Sequence, residues 1–255
     1  MLSYDSDFVA RYGREICGAA TRWASQPMLQ WSRRWEYPYA FERLEEFARR
    51  QGKPLAILDA GSGVTFFPYY LCSRLPGTRV TCCDGNSKYA SSFDRLAAAT
   101  GNRDVTFRPC LLQNLPLESH SLDAICCISV LEHTGQYGSI LEEFRRVLRP
   151  GGLLVLTFDI SLDGRTQIDR AETGRLLGEV LARFEANPPL DHERELLKLQ
   201  RPASLLTTDA VKATHPELLP WKWPRLKSLY DLLHGRGWSG GFFSLTVYCC
   251  SVNVP

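Results

Sequence analysis

Residues 57–67 read ILDAGSGVTFF. A short apolar run enters an acid, and two glycines follow with one residue between them. The apolar stretch LAILDA (55–60) has the length and character of a buried strand. A glycine turn after such a strand lets backbone N–H groups come close to a ligand, because glycine adopts conformations that other residues resist. Gly-x-Gly alone is also compatible with a plain tight turn. A dinucleotide-binding loop carries a third glycine two or three residues further on, which leaves room for a pyrophosphate. Here those positions hold Phe66 and Phe67.

The chain beyond this turn alternates. RVTCCD (79–84), VTFRPC (105–110), LDAICCISV (122–130) and LLVLTFDIS (153–161) read as strands. Residues 65–75, 87–99 and 138–148 read as helices, the last with Ile140, Leu141, Phe144, Val147 and Leu148 on one stripe. Pro150-Gly151-Gly152 is read as the stop after that helix. Strands separated by helices at this rhythm predict an α/β fold. The architecture expected is a doubly wound, Rossmann-like, mostly parallel sheet with helices on both faces.

The whole chain, 1–255, is read as one domain. Residues 1–52 form an aromatic N-terminal helical cap, in which Pro38 is expected to open a helix. Residues 53–161 form the core. Residues 162–224 form a helical insertion after the fifth strand, packed over one end of the sheet. Residues 225–255 return a helix near 225–234 and a strand within FFSLTVYCCSVNV (242–254).

Composition excludes some partners. The net charge is +2 and no basic stripe exists, so nucleic acid is not expected. Arg33-Arg34, Arg49-Arg50 and Arg145-Arg146 are read as solvated helix faces. No apolar run approaches the ~18 residues that span a bilayer, and the N-terminus lacks a signal-peptide core. The expected location is the cytoplasm. Of nine cysteines, six form the adjacent pairs Cys82-Cys83, Cys126-Cys127 and Cys249-Cys250. Neighbouring strand residues point to opposite faces, so these read as reduced, buried small hydrophobes.

Asp84 closes the second strand, 25 residues after Asp59. A carboxylate there can accept both hydroxyls of a ribose; it can equally cap a turn. With ILDAGSG and VTCCD in place, NLPLESHSLDAICCISVLEH and EEFRRVLRPGGLLVLTF complete a resemblance. Over residues 55–160 the chain resembles the class I S-adenosylmethionine-dependent methyltransferases in motif order and spacing. The resemblance implies S-adenosyl-L-methionine as cofactor. It implies Asp59, Gly61, Ser62 and Gly63 at the methionine end, and Asp84 at the ribose with Gly85 and Asn86 beside it. Leu111, Leu112 and Gln113 would flank the adenine, and Ser129 would face the sulfonium. The sequence departs from the family at Leu111, where many members carry an acid for the adenine amino group. Gln113, a backbone carbonyl or water is left for that edge. Some quinone-methylating relatives hold a metal with Glu-x-x-Glu-His; the first position here is Ser129, so no metal site is expected.

Methyl transfer from a sulfonium is an in-line displacement that mainly requires alignment. A base is needed only when the acceptor gives up a proton with a high pKa. His133 and Asp159 are the candidates. His133 could instead order its loop, and Asp159 could cap or anchor substrate. Trp31, Tyr37 and Tyr39 are read either as core or as a lid lining the substrate pocket, which would exclude water. The expected function is methylation of a small-molecule or glycan-like acceptor, on oxygen. A catalytically silent cofactor-binding partner protein is the first alternative. An NAD-dependent oxidoreductase or epimerase is the second, with the absent third glycine and LRPGG against it.

Overall fold

The computed structural model describes residues 1–16, 26–201, 205–219, 232–233 and 243–255. Five strands run parallel: β1 (Ala56–Ala60), β2 (Arg79–Asp84), β3 (Val105–Pro109), β4 (Leu122–Ile128) and β5 (Leu148–Ser161). The sixth, β6 (Leu245–Asn253), pairs antiparallel with β5. The order is β3-β2-β1-β4-β5-β6. The chain winds outward in one direction from β1 and in the other from β4. A crevice therefore opens at the carboxyl ends of these two strands, where ligands bind in folds of this kind.

Alternation within the strands divides the core in two. Ile57, Val80, Ala124 and Val155 face one side. There they meet α1 (Leu2–Ile16), α2 (Arg33–Gln51), α3 (Phe67–Arg74) and α4 (Tyr89–Thr100). Leu58, Ile125, Leu154 and Leu156 face the other side, against α5 (Tyr137–Val147), α6 (Arg170–Leu181) and α7 (His192–Lys198). β4 is buried at every position, as a strand covered on both faces must be. The cysteine pairs split as the pleat requires. Cys82 and Cys126 lie on the first side, Cys83 and Cys127 on the second. All the described cysteines are free thiols.

Three boundaries differ from the sequence reading. The helix expected to open at Pro38 begins at Arg33, with Pro38 in its second turn. Side chains of that first turn are bonded to the sheet, which holds the turn despite the proline. The fifth strand begins at Leu148, five residues earlier than its apolar run. Leu148 pairs with Leu122, and the ladder is irregular before Ala124. Gly151, at φ +72°, helps absorb that irregularity, so RPGG lies inside the strand rather than stopping before it. The last strand is confined to Leu245–Asn253. Of the helix expected near 225–234, only 232–233 lie within the described residues, and both are helical.

The insertion contributes α6, α7 and α8 (Thr208–Thr214). A third, small core of Trp31, Val211, Leu218, Leu219 and Leu245 joins it to the N-terminal segment and β6. The Trp31 N–H donates to the Leu218 carbonyl at 3.1 Å. Among the described residues no helix is long and apolar enough to cross a membrane.

Candidate active site

The opening stretch folds into a turn at the carboxyl end of β1. Gly61 and Gly63 both have positive φ, +71° and +54°. The N–H groups of Gly61 and Ser62 donate to the Cys83 carbonyl at 2.8 and 3.0 Å, which ties the turn to β2. The two glycines are needed for different reasons. A Cβ on Gly61 would sit 2.5 Å from Val130 Cγ2, whereas one on Gly63 would meet nothing within 4 Å. The second glycine thus faces open space. Its N–H donates to Asp84 Oδ2 at 3.2 Å, and the Asn86 N–H donates to Asp84 Oδ1 at 2.9 Å.

Asp84 and Gly61 sit where two cavities meet. The larger, about 420 Å³, is lined by Gly85, Leu111, Leu112, Gln113 and His133 among others. The smaller, about 290 Å³, is lined by Arg33, Tyr37, Ser62, Gly63 and Ser129 among others. Together they make a cleft across the crevice. Leu111 is exposed along its wall, while Leu112 is anchored in the core. Asp59 does not line either cavity. It is buried behind the glycine turn, with Cys126 Sγ donating to Oδ1 at 3.8 Å, and burial pushes its carboxyl up to about 7.

Sequence reasoning missed the contribution of α2. Glu36 has no exposed surface. Its Oε1 accepts from Ser129 Oγ at 2.6 Å and from Thr157 Oγ1 at 2.5 Å. Its Oε2 accepts from Arg33 Nη1, which also donates to Ser129 Oγ. Arg33 is therefore not on a solvated face; it stands in the wall of the smaller cavity. Arg146 also departs from that reading, because it donates to Glu143 and to the Leu115 and Leu117 carbonyls. A signal for α2 was present in the sequence. The buried positions Phe47, Leu44, Ala40, Tyr37 and Glu36 continue one helical stripe backwards to Arg33.

Ser129 is held at φ +49°, and its N–H donates to the Thr157 carbonyl at 2.9 Å. Non-glycine residues adopt this region rarely, and such positions gather at functional sites. Two further carboxyls lie behind it. Glu132 Oε1 accepts from the Asp159 N–H at 3.1 Å. Glu132 Oε2 and Asp159 Oδ1 are enclosed and have no partner among the described residues. Burial, then the charge of Glu36, pushes Glu132 up to about 7 and Asp159 well above the carboxylate range; Arg33 opposes both shifts.

The two candidate bases lie in different places. Asp159 belongs to this buried cluster. His133 is exposed at the mouth of the larger cavity, in the short 3-10 turn Leu131–His133. Surrounding protein and the Arg33 charge hold its imidazole below the ordinary value. The three aromatic candidates also separate. Tyr37 lines the smaller cavity and packs on Phe66 and Phe67, with ring centroids 5.4 and 4.7 Å away. Tyr39 is bonded to Ser251 on β6 and lines neither cavity. Trp31 is core beneath the insertion.

Residues 58–156 match the methyltransferase-domain family, and over this stretch the chain is similar to the class I S-adenosylmethionine-dependent methyltransferases. It is 29% identical over 220 residues to malonyl-[acyl-carrier protein] O-methyltransferase of Laribacter hongkongensis, a match covering 72% of this chain and 71% of that one. It is 35% identical over 117 residues to thiol S-methyltransferase TMT1A of Homo sapiens, covering 44% of this chain and 45% of the other. Thus it spans less than half the length of the human relative. Among solved structures, the [4+2]-cyclase SpnF superposes with a TM-score of 0.55 at 17% identity, covering 99% of this chain and 94% of that one. That likeness is one of fold.

Proposed function

We propose that this protein transfers a methyl group from S-adenosyl-L-methionine to an oxygen of a small-molecule or glycan-like acceptor. One observation carries the reading: Asp84 stands at the junction of the two cavities, with a guanidinium in the wall of the smaller one. The residues fit the cofactor. Leu111, Leu112, Gln113 and Gly85 would hold the adenine in the larger cavity. Asp84 would take the ribose hydroxyls. The Gly61-Ser62-Gly63 turn would lie along the methionine, whose carboxylate would meet Arg33, the side chain best shaped for a carboxylate. Tyr37 would border that end. Asp59 would act from behind the turn as a post that positions it.

When bound, the cofactor supplies an electrophilic sulfonium methyl. The chain's own task is to align the acceptor, keep water out and accept the acceptor's proton. Asp159 is the base this arrangement favours. It lies among the last paired residues of β5, toward the carboxyl end of the sheet, and one oxygen is unpartnered among the described residues. A raised carboxyl is better matched to proton transfer near neutral pH. His133 lines the larger cavity, which this reading gives to adenine, so its role is to shape that wall. The insertion, residues 162–224, would close the acceptor side and set specificity.

The test is calorimetry with S-adenosylmethionine, S-adenosylhomocysteine and NAD, followed by transfer of a labelled methyl group to alcohols, phenols, sugars, thiols and carboxylic acids. Micromolar binding of the first two ligands, with label on a hydroxyl, is expected. Binding of NAD alone would overturn the cofactor assignment, and label only on sulfur would overturn the oxygen acceptor.

A further inference from the structure

We propose that Glu132 and Asp159 select the cofactor by charge: the pair favours the cationic sulfonium over the neutral thioether product and releases a proton when the sulfonium binds. The inference rests on the cofactor reading above and concerns what lies behind the cleft rather than its walls.

Consider the charges that face one another there. α2 brings Arg33, Glu36 and Tyr37; the turn after β4 brings Glu132 and His133; β5 brings Asp159; β4 and β6 bring the thiols Cys127 and Cys249. Burial keeps the thiols and the Tyr37 phenol protonated. Three carboxyls then share one guanidinium. Through Nη1 that guanidinium is bonded to Glu36, which also takes the hydroxyls of Ser129 and Thr157. Glu132 Oε2 and Asp159 Oδ1 are left enclosed without a partner among the described residues. An unpaired buried carboxylate does not persist; it takes a proton unless a cation is brought to it. No metal arrangement offers itself, because among the described residues no three His, Cys, Asp or Glu side chains converge closely enough to hold an ion.

The cofactor brings that cation. S-adenosylmethionine carries a carboxylate, an ammonium and a sulfonium, and its product has lost only the sulfonium charge. With the ribose on Asp84 and the carboxylate toward Arg33, the sulfur would lie between them, in the smaller cavity. Ser129 lines that cavity, and its hydroxyl donates to Glu36. Comparing the two ligands isolates one unit of charge, since every other contact is shared. The proton that leaves also uncovers Asp159 as the base, so binding of reactant prepares the site and formation of product closes it again.

The experiment is calorimetric titration of the whole chain at pH 7 with each ligand, in phosphate and in Tris, whose ionisation enthalpies differ. The variation of binding enthalpy between buffers counts protons. Release of a substantial fraction of a proton with S-adenosylmethionine, and little with S-adenosylhomocysteine, is expected. In the Glu132→Gln/Asp159→Asn double variant the difference should vanish and the affinity ratio of the two ligands should move at least fivefold toward the product. Equal release for both ligands, or a difference that survives in the double variant, would overturn the charge selection while leaving the cofactor reading intact. Failure of the wild type to bind either ligand would overturn both. The comparison of ligands needs only the wild type, so it decides the matter even if the double variant does not fold.

Discussion

At the scale of single residues, the glycine turn separates two demands that the sequence merges. Gly61→Ala should cost about 2–4 kcal/mol, from strain at φ +71° and overpacking against Val130. Adding Val130→Ala should recover part of that loss, because it removes the clash and leaves the strain. Gly63→Ala should cost about 1 kcal/mol in stability, since its Cβ meets nothing; its damage should fall on cofactor affinity. Urea unfolding and calorimetry on the four proteins check this order, and equal losses at the two glycines would refute it. Asp84→Asn keeps the shape and removes the charge. It should weaken S-adenosylmethionine by about 10–150-fold, the worth of a charge-assisted hydrogen bond of about 1.5–3 kcal/mol; an unchanged dissociation constant would place the ribose elsewhere. These residues were legible because their requirements are local. A turn at positive φ favours glycine, and a carboxylate at a strand end can accept the N–H groups of the adjoining turns. Depth was not legible. Asp59 reads as a wall of the cleft, and only the packing of Cys126 and Tyr37 around it puts it a layer behind.

At the scale of elements, α2 is where local reading failed. Pro38 is a strong punctuator, and it drew the expected helix start to itself. The first turn survives upstream because its side chains are anchored elsewhere, through 93 residues of chain to Ser129 and 121 to Thr157. No window of sequence contains both ends of such a bond. The buried stripe that includes Glu36 was nevertheless visible, and a charged residue on a buried stripe is a better pointer to a site than a charged pair on its own. Glu36→Ala would strand Arg33 and two hydroxyls without an acceptor. Breaking a buried pair in this way costs about 3–5 kcal/mol, so a fall of that size in unfolding free energy is expected. Arg33→Leu/Glu36→Leu removes both partners, and should be considerably more stable than the single variant while binding S-adenosylmethionine poorly. If Glu36→Ala unfolds like the wild type, the network does not hold α2 to the sheet. The central strands β1 and β4, by contrast, were read closely, because they are buried on both faces and show it in their own composition. β5 alone was misjudged at its start, where RPGG looks like a stop and is an irregular part of the ladder.

At the scale of the whole molecule, buried acids set how stability depends on pH. Burial raises Asp5 to about 6 and Asp59 and Glu132 to about 7, and pushes Asp159 well above the ordinary carboxylate range. Each has a folded pKa above its unfolded one, so the folded state binds more protons between the two values. Stability then falls as pH rises through that window, from about 4 to beyond 7. Asp123, Glu143 and Asp163 are shifted the other way by their hydrogen-bonding partners, and their support is lost only as pH falls below the ordinary carboxylate range. The ligand-free protein should therefore be most stable in mild acid, between about pH 4 and 5, and lose stability progressively toward pH 8. Glu132→Gln should flatten this profile by stabilising the protein at pH 8 with little effect at pH 5. A saturating sulfonium cofactor should flatten it too, because a bound cation removes the cost of ionising the same pair. Urea midpoints from pH 4.5 to 8.5, with and without S-adenosylmethionine, measure all three. A ligand-free profile that climbs steadily from pH 5 to 8 would show that these carboxyls are ionised in the folded protein and satisfied by partners, and the site would then have no spare charge to offer the sulfonium. The link between a stability profile and a ligand's charge follows from placement: two of the acids that destabilise the fold at neutral pH, Glu132 and Asp159, stand at the carboxyl ends of β4 and β5, behind the cleft.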